Sequence, residues 1–158
     1  QASAEKRNFL GLVSEQHRYS LLCRLPELEV LPAAKELGLG VLPWSPLGGG
    51  LLNGKVLSSN ANNSRSLEAS KGLRPKQRKQ LQAYSELCKE IGESESSVAL
   101  AWLLANPIVT SPIIGPRTLE QLDDALHAVD IELSEDILKE LDNIFPGPGG
   151  EAPEAYAW

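Results

Sequence analysis

The chain has 158 residues, 42% of them hydrophobic and 23% charged, with a formal net charge of −6, which is enough apolar material for one globular unit with a real core. The negative balance excludes a nucleic-acid binder, since the densest basic stretch, Arg74 to Lys79, reads as one solvated helix face; no apolar run approaches the roughly 20 residues that span a bilayer. Cys23 and Cys88 stand far apart with no metal-like spacing, so zinc and disulfide frameworks are excluded too, and with no visible leader the expected location is reducing and cytoplasmic. The chain has no methionine, even at position 1, as expected of a processed or excised piece of something longer.

In chain order, Phe9 to Val13 is a short apolar run of the kind a buried parallel strand shows, and Val41 to Trp44 is another. Between them, Pro26 to Leu37 predicts a short helix with Gly38 as its stop. After the second strand comes Trp44-Ser45-Pro46-Leu47-Gly48-Gly49-Gly50, and then Lys55. Glycines there let backbone approach closely and let N–H groups face phosphate oxygens, with Lys55 adding a charge; a plain Gly-rich turn after a strand has the same spelling. Residues 56–72 carry Ser, Asn and Gly without periodicity and read as a surface excursion.

A helix follows with Leu81, Tyr84, Cys88 and Ile91 on one stripe and Gly92 ending it. Ser94 or Ser96 opens the next, which carries Val98, Leu100, Ala101, Trp102 and Leu104 before Asn106-Pro107 closes it. Val109 to Ile114 is a third strand, although Pro112 would normally demote a central one. Thr118 and Gln121 have the spacing of a capping box, predicting a helix from Leu119 to about His127. Arg117 therefore sits at a helix N-terminus, where it either meets a phosphate or is solvated. Ser134 caps a last helix with Ile137, Leu138, Leu141 and Ile144 inward, and 146–158 is an irregular tail rich in Gly and Pro. Strand alternating with helix predicts an α/β fold of parallel units. Three strands do not close a barrel, which typically needs about 250 residues.

Three blocks, Ser14-Glu15-Gln16-His17-Arg18-Tyr19-Ser20-Leu21-Leu22, Pro43-Trp44-Ser45-Pro46-Leu47 and Ile113 to Leu122, resemble in order and spacing the C-terminal half of aldo-keto reductases. The likeness is greatest to bacterial oxidoreductases akin to potassium-channel β subunits. The resemblance implies a partial (β/α)8 TIM barrel spanning 1–158: strands six to eight, their helices and the tail, with 56–72 as a cofactor loop. It implies NADP(H) at the C-terminal rim of the strands and a small carbonyl substrate in the complete enzyme.

Carried over, Gln16 would bond the nicotinamide carboxamide and Trp44 would stack on its ring. Ser45, Pro46, Leu47, Gly48 and Gly49 would follow the pyrophosphate, while Lys55, Ser64 and Arg65 would belt it. Gly115, Arg117, Gln121 and Asp124 would hold the adenosine end, with Arg117 against the 2′-phosphate. Ala125 stands where the family usually has Asn. The family's catalytic tyrosine, lysine, aspartate and histidine belong to the N-terminal half, outside this sequence, and His17, His127, Tyr19, Tyr84 and Tyr156 do not match them in context. The chain is therefore read as the cofactor-binding half of an NADP-dependent reductase, inactive alone. A non-catalytic nucleotide-binding or regulatory module, or an inactive structural fragment, are the alternatives. Association through open strand edges, or with a missing N-terminal half, is expected.

Overall fold

A computed structural model describes residues 1–57 and 72–149. In chain order these form α1 (Ala2–Glu5), β1 (Ser14–Glu15), a 3-10 turn (Leu25–Glu27), α2 (Val30–Leu37) and β2 (Gly40–Val41). A second 3-10 turn (Gly48–Gly50) follows, then α3 (Pro75–Ile91), α4 (Glu95–Leu104), α5 (Leu119–His127), a third 3-10 turn (Ala128–Asp130) and α6 (Glu135–Ile144).

β1 and β2 are parallel, with Ser14 opposite Gly40 and Glu15 opposite Val41. The pairing runs on past the regular strands: Leu42 N–H donates to Glu15 O at 3.0 Å and Trp44 N–H to His17 O at 2.9 Å. A third extended segment joins the far side of β2, also in parallel, with Val109 opposite Val41 and Ile113 opposite Trp44. The five residues Val109–Ile113 therefore match the four residues Val41–Trp44, which is a bulge. Val41 O accepts from both Thr110 N–H, at 2.9 Å, and Ser111 N–H, at 3.4 Å. The slip brings Ile113 level with Trp44 at the end of the ladder. It also explains why Pro112 is tolerated: Ser111 and Ile113 donate to Val41 O and Pro43 O, so the missing N–H at Pro112 falls on the side away from β2.

The first expected strand is displaced. Phe9, Leu10, Leu12 and Val13 are exposed, and the ladder starts only with Val13 O, which accepts Gly40 N–H at 2.9 Å. Two local features keep 9–12 out of it. Gly11 takes φ +78°, which is incompatible with an extended run. The Gln1 carboxamide occupies the backbone of Leu12, accepting its N–H at 3.1 Å and donating to its carbonyl at 3.2 Å.

The helices follow the expected start and stop signals. Gly38 and Gly92 end α2 and α3 with φ of 63° and 82°, the left-handed conformation that only glycine takes at little cost. Ser94, Thr118 and Ser134 cap α4, α5 and α6 by accepting the N–H of Ser97, Gln121 and Ile137. α4 is buried all round from Ser97 to Leu103, and Leu104 turns out to be 38% exposed. It packs between α3 and α5, and α3 in turn packs on α6.

Val41 and Pro43 are buried on the helix-covered face of the sheet, whereas Trp44 is exposed. The core joins them to Leu31, Leu52, Leu81, Val98, Leu103 and Leu141, with Tyr19 against Trp102 at 5.2 Å and Tyr84 edge-on to Phe145 at 5.5 Å. Arg24 ties this core to the last helix: it forks onto Glu27, meets Asp142 Oδ1 at 2.5 Å, donates to Phe145 O at 2.8 Å and covers Trp102. Among the described residues no helix is long and apolar enough to cross a membrane.

Candidate functional site

The carboxyl end of β2 leads into the Gly-rich turn. Ser45 takes φ 55°, a left-handed value unusual for a residue with a Cβ. The turn repays it locally: Ser45 O accepts Gly48 N–H at 2.9 Å and Ser45 Oγ accepts Gly49 N–H at 3.2 Å. Gly50 N–H goes to Leu47 O at 3.0 Å. The N–H groups of all three glycines are thus spent inside the turn, which corrects the expectation that they face a ligand. What the glycines supply instead is backbone geometry. Gly49 has φ 70° and nothing within 4 Å of where a Cβ would be, while a Cβ on Gly48 would stand 2.7 Å from Leu22 Cδ1.

Beside this turn lies a cleft of about 630 Å³, walled on the other side by the loop after the third strand segment and by the starts of α4 and α5. It gathers Ser45, Pro46, Leu47, Gly49, Lys55, Gly115, Arg117, Gln121 and Asp124 from the expected set. Gly48 is buried behind the turn, and Gln16 and Trp44 lie just past β1 and β2, outside the cleft wall. Ser64 and Arg65 lie outside the described residues. Sequence reasoning missed Asn53, Ser94, Ser96 and Glu120 as lining. The sequence presents the two serines as helix caps, and the run Ser94-Glu95-Ser96-Ser97 is the signal for them.

Those serines define the electrostatics of one wall. Ser94 Oγ bonds Asp124 Oδ1 at 2.7 Å, Ser97 Oγ bonds the same oxygen at 2.9 Å, and Ser96 Oγ bonds Oδ2. Burial pushes the Asp124 carboxyl up, but the three hydroxyls and the nearby His127 outweigh it and hold it below its usual value. Nearer the start of the same helix, Arg117 N–H donates to Gln121 Oε1 at 2.8 Å, so the Gln121 side chain folds back over the first turn of α5. The Gln121 carboxamide thus caps the residue before Thr118, not Thr118 itself, a variant of the expected box.

Tyr19, Tyr84, His17 and His127 stand apart from the cleft. Burial and the charge of Glu27 push the Tyr19 phenol well above its usual value, and it donates to Glu27 Oε1 at 2.9 Å. Burial and the neighbouring Cys88 do the same to Tyr84, whose hydroxyl donates to Glu95 O. His17 pairs with Glu15 at 2.6 Å and His127 with Glu93 at 2.8 Å. Tyr156 lies outside the described residues. Among the described residues no cluster of His, Cys, Asp or Glu is arranged to hold a metal ion.

Parallel strands joined through helices, with a cleft beyond their carboxyl ends, define an α/β protein. The model of the Aldo/keto reductase family matches residues 1–145, and the chain belongs to that family. It is 63% identical over 158 residues to the uncharacterized oxidoreductase YrpG of Bacillus subtilis (strain 168), covering 100% of this chain and 48% of that one. To the aldo-keto reductase AMT2 of Alternaria alternata it is 36% identical over 141 residues, covering 86% and 37%. To an aldo-keto reductase of Fusarium vanettenii it is 34% identical over 146 residues, covering 90% and 39%. The chain spans less than half the length of these relatives.

Proposed function

We propose that this chain is the cofactor-holding portion of an NADP-dependent aldo-keto reductase, its three extended segments being strands six to eight of an eight-stranded β/α barrel. The observation that carries the reading is the cleft. It unites the turn after β2 with the loop before α5, two stretches about seventy residues apart in sequence, and puts Lys55 and Arg117 on one wall system. Its volume lies within the range of small-molecule sites, and the bare left-handed Gly49 leaves room for a phosphate-bearing ligand to approach the backbone.

Under this reading NADP(H), when bound, supplies the hydride. Lys55 meets the pyrophosphate, with Ser45, Leu47 and Gly49 shaping its bed. Arg117 takes the 2′-phosphate, and Gln121 and Asp124 border the adenosine. Trp44, 43% exposed, offers its ring to the nicotinamide, with Gln16 on the neighbouring strand as the carboxamide partner. Proton transfer to a carbonyl needs a general acid within hydrogen-bond reach of the substrate oxygen. Among the described residues, the buried Tyr19 and Tyr84 and the two histidines held by glutamates are poor candidates. We therefore read the chain as binding the dinucleotide without turning over a carbonyl, and the reducing activity as belonging to a longer polypeptide. The same burial of Tyr19 and Tyr84 favours, as a second reading, a nucleotide-binding module without chemistry of its own.

The test is titration of the chain with NADPH, followed by nicotinamide fluorescence and tryptophan quenching, and then a carbonyl-reduction assay with and without an added N-terminal half of a relative such as YrpG. Binding alone, with reduction on addition of the second half, is the expected result. Binding with no reduction in either case selects the module. Reduction by the chain alone, or no binding, overturns the proposal.

A further inference from the structure

The stretch 53–55 is a short strap between two anchors, Leu52, which is fully buried, and Val56, which is 5% exposed. Within it Asn53 Oδ1 accepts Lys55 N–H at 3.0 Å, and Gly54 takes φ +72°. Asn53 and Lys55 line the cleft. Directly against Gly54 lies the carboxylate of Glu95: a Cβ on Gly54 would stand 2.5 Å from Oε2 and 2.8 Å from Oε1. That carboxylate is itself fixed. Ser85 Oγ, on α3, donates to Glu95 Oε1 at 2.8 Å, and the Tyr84 hydroxyl donates to the Glu95 backbone carbonyl. Glu95 opens α4 just after its cap Ser94, so its backbone belongs to the capped first turn of the helix.

We propose that Glu95 is a positioning residue for the cleft: its carboxylate, held from α3 by Ser85, is the seat on which Gly54 rests, and it thereby sets where the strap presents Lys55 to an anionic ligand. With both ends pinned in the core, the strap has one soft point, the left-handed glycine. Removing the seat opens space beneath that point and lets the strap take other conformations. Glu95 does this without lining the cleft itself, which is why no ligand contact reveals it. The ligand part of the inference rests on the dinucleotide reading; the seat does not.

Hydrogen exchange over residues 50–57 reads the strap without any ligand, and NADPH titration reads its consequence. Glu95→Ala and Ser85→Ala should speed exchange over 50–57 while leaving α6 protected. Glu95→Gln, which keeps the shape and the bond from Ser85, should stay near wild type. Glu95→Ala should weaken NADPH binding about tenfold, the cost of one misplaced charged contact, and the loss should vanish in a Lys55→Ala background, because the seat acts through Lys55. Unchanged exchange over 50–57 in Glu95→Ala overturns the proposal, as does an equal NADPH loss with and without Lys55. If Glu95→Ala loses protection throughout, Ser85→Ala against Glu95→Gln decides by the same measurement. A wild-type chain that ignores NADPH while its strap loosens in Glu95→Ala rejects the dinucleotide and supports the seat.

Discussion

At Asp124 two opposing effects meet on one carboxylate, and the hydrogen bonds from Ser94, Ser96 and Ser97 prevail over burial. The sign of the consequence follows from linkage. A carboxyl held low in the folded state contributes stability that is fully present above its unfolded value, about 4, and is lost as pH falls through the folded one. Asp124→Asn should therefore be less stable than wild type at pH 7, and the gap should shrink below about pH 4. Urea unfolding at stepped pH measures it, and a gap equal at pH 3 and pH 7 would show that ionisation is not what the serines hold. Arg117 offers a charge test of the proposed ligand: Arg117→Glu should weaken NADPH more than NADH, and equal loss in both titrations removes the 2′-phosphate assignment. Burial also pushes the Cys88 thiol up to about 12, so at neutral pH it carries almost no thiolate. Iodoacetamide should leave Cys88 unlabelled in the folded chain, and mass spectrometry should find it labelled after unfolding; rapid labelling in the native state contradicts its burial.

The elements separate local from tertiary causes most clearly at their glycines. Gly92 sits in the left-handed conformation with nothing within 4 Å of a Cβ position, so Gly92→Ala should cost only the backbone penalty, about 1–2 kcal/mol. Gly48 carries a comparable φ of 57° but would also drive a Cβ to 2.7 Å from Leu22 Cδ1 in a buried site. Gly48→Ala should therefore be the more damaging, and denaturant midpoints in the reverse order would contradict the packing described for the turn. Gly38 and Gly92 were legible as stops because a helix end is a local event, and the caps at Ser94, Thr118 and Ser134 were legible for the same reason. The start of β1 was not. Phe9 to Val13 has the composition of a buried strand, but composition carries no information about Gln1, whose side chain occupies the backbone of Leu12. The bulge at Thr110 and Ser111 was equally hidden, since register is set by the partner strand.

On the scale of the whole molecule, no further strand among the described residues pairs with either edge of the sheet. Phe9, Leu10, Leu12 and Val13 are 56–83% exposed beside β1, and Leu119, Leu126 and Val129 are 55–79% exposed on the side of α5 and the turn after it. Exposed apolar groups on that scale bind hydrophobic dyes and favour association. The chain alone should enhance ANS fluorescence, and addition of an N-terminal half from a relative should reduce it if that half covers these surfaces; undiminished fluorescence in a reducing mixture would place the contact elsewhere. The order of helices and strands from β1 onward and the caps and stops could be read from the amino acids, because each depends on neighbours within a turn or two. The cleft itself, the spending of the glycine N–H groups within their own turn, the serine hold on Asp124 and the Glu95 seat under Gly54 arose only on folding. Each joins groups separated by some tens of residues, or depends on which of several possible hydrogen-bond partners arrives first in space, and a linear sequence specifies neither distance nor direction between them.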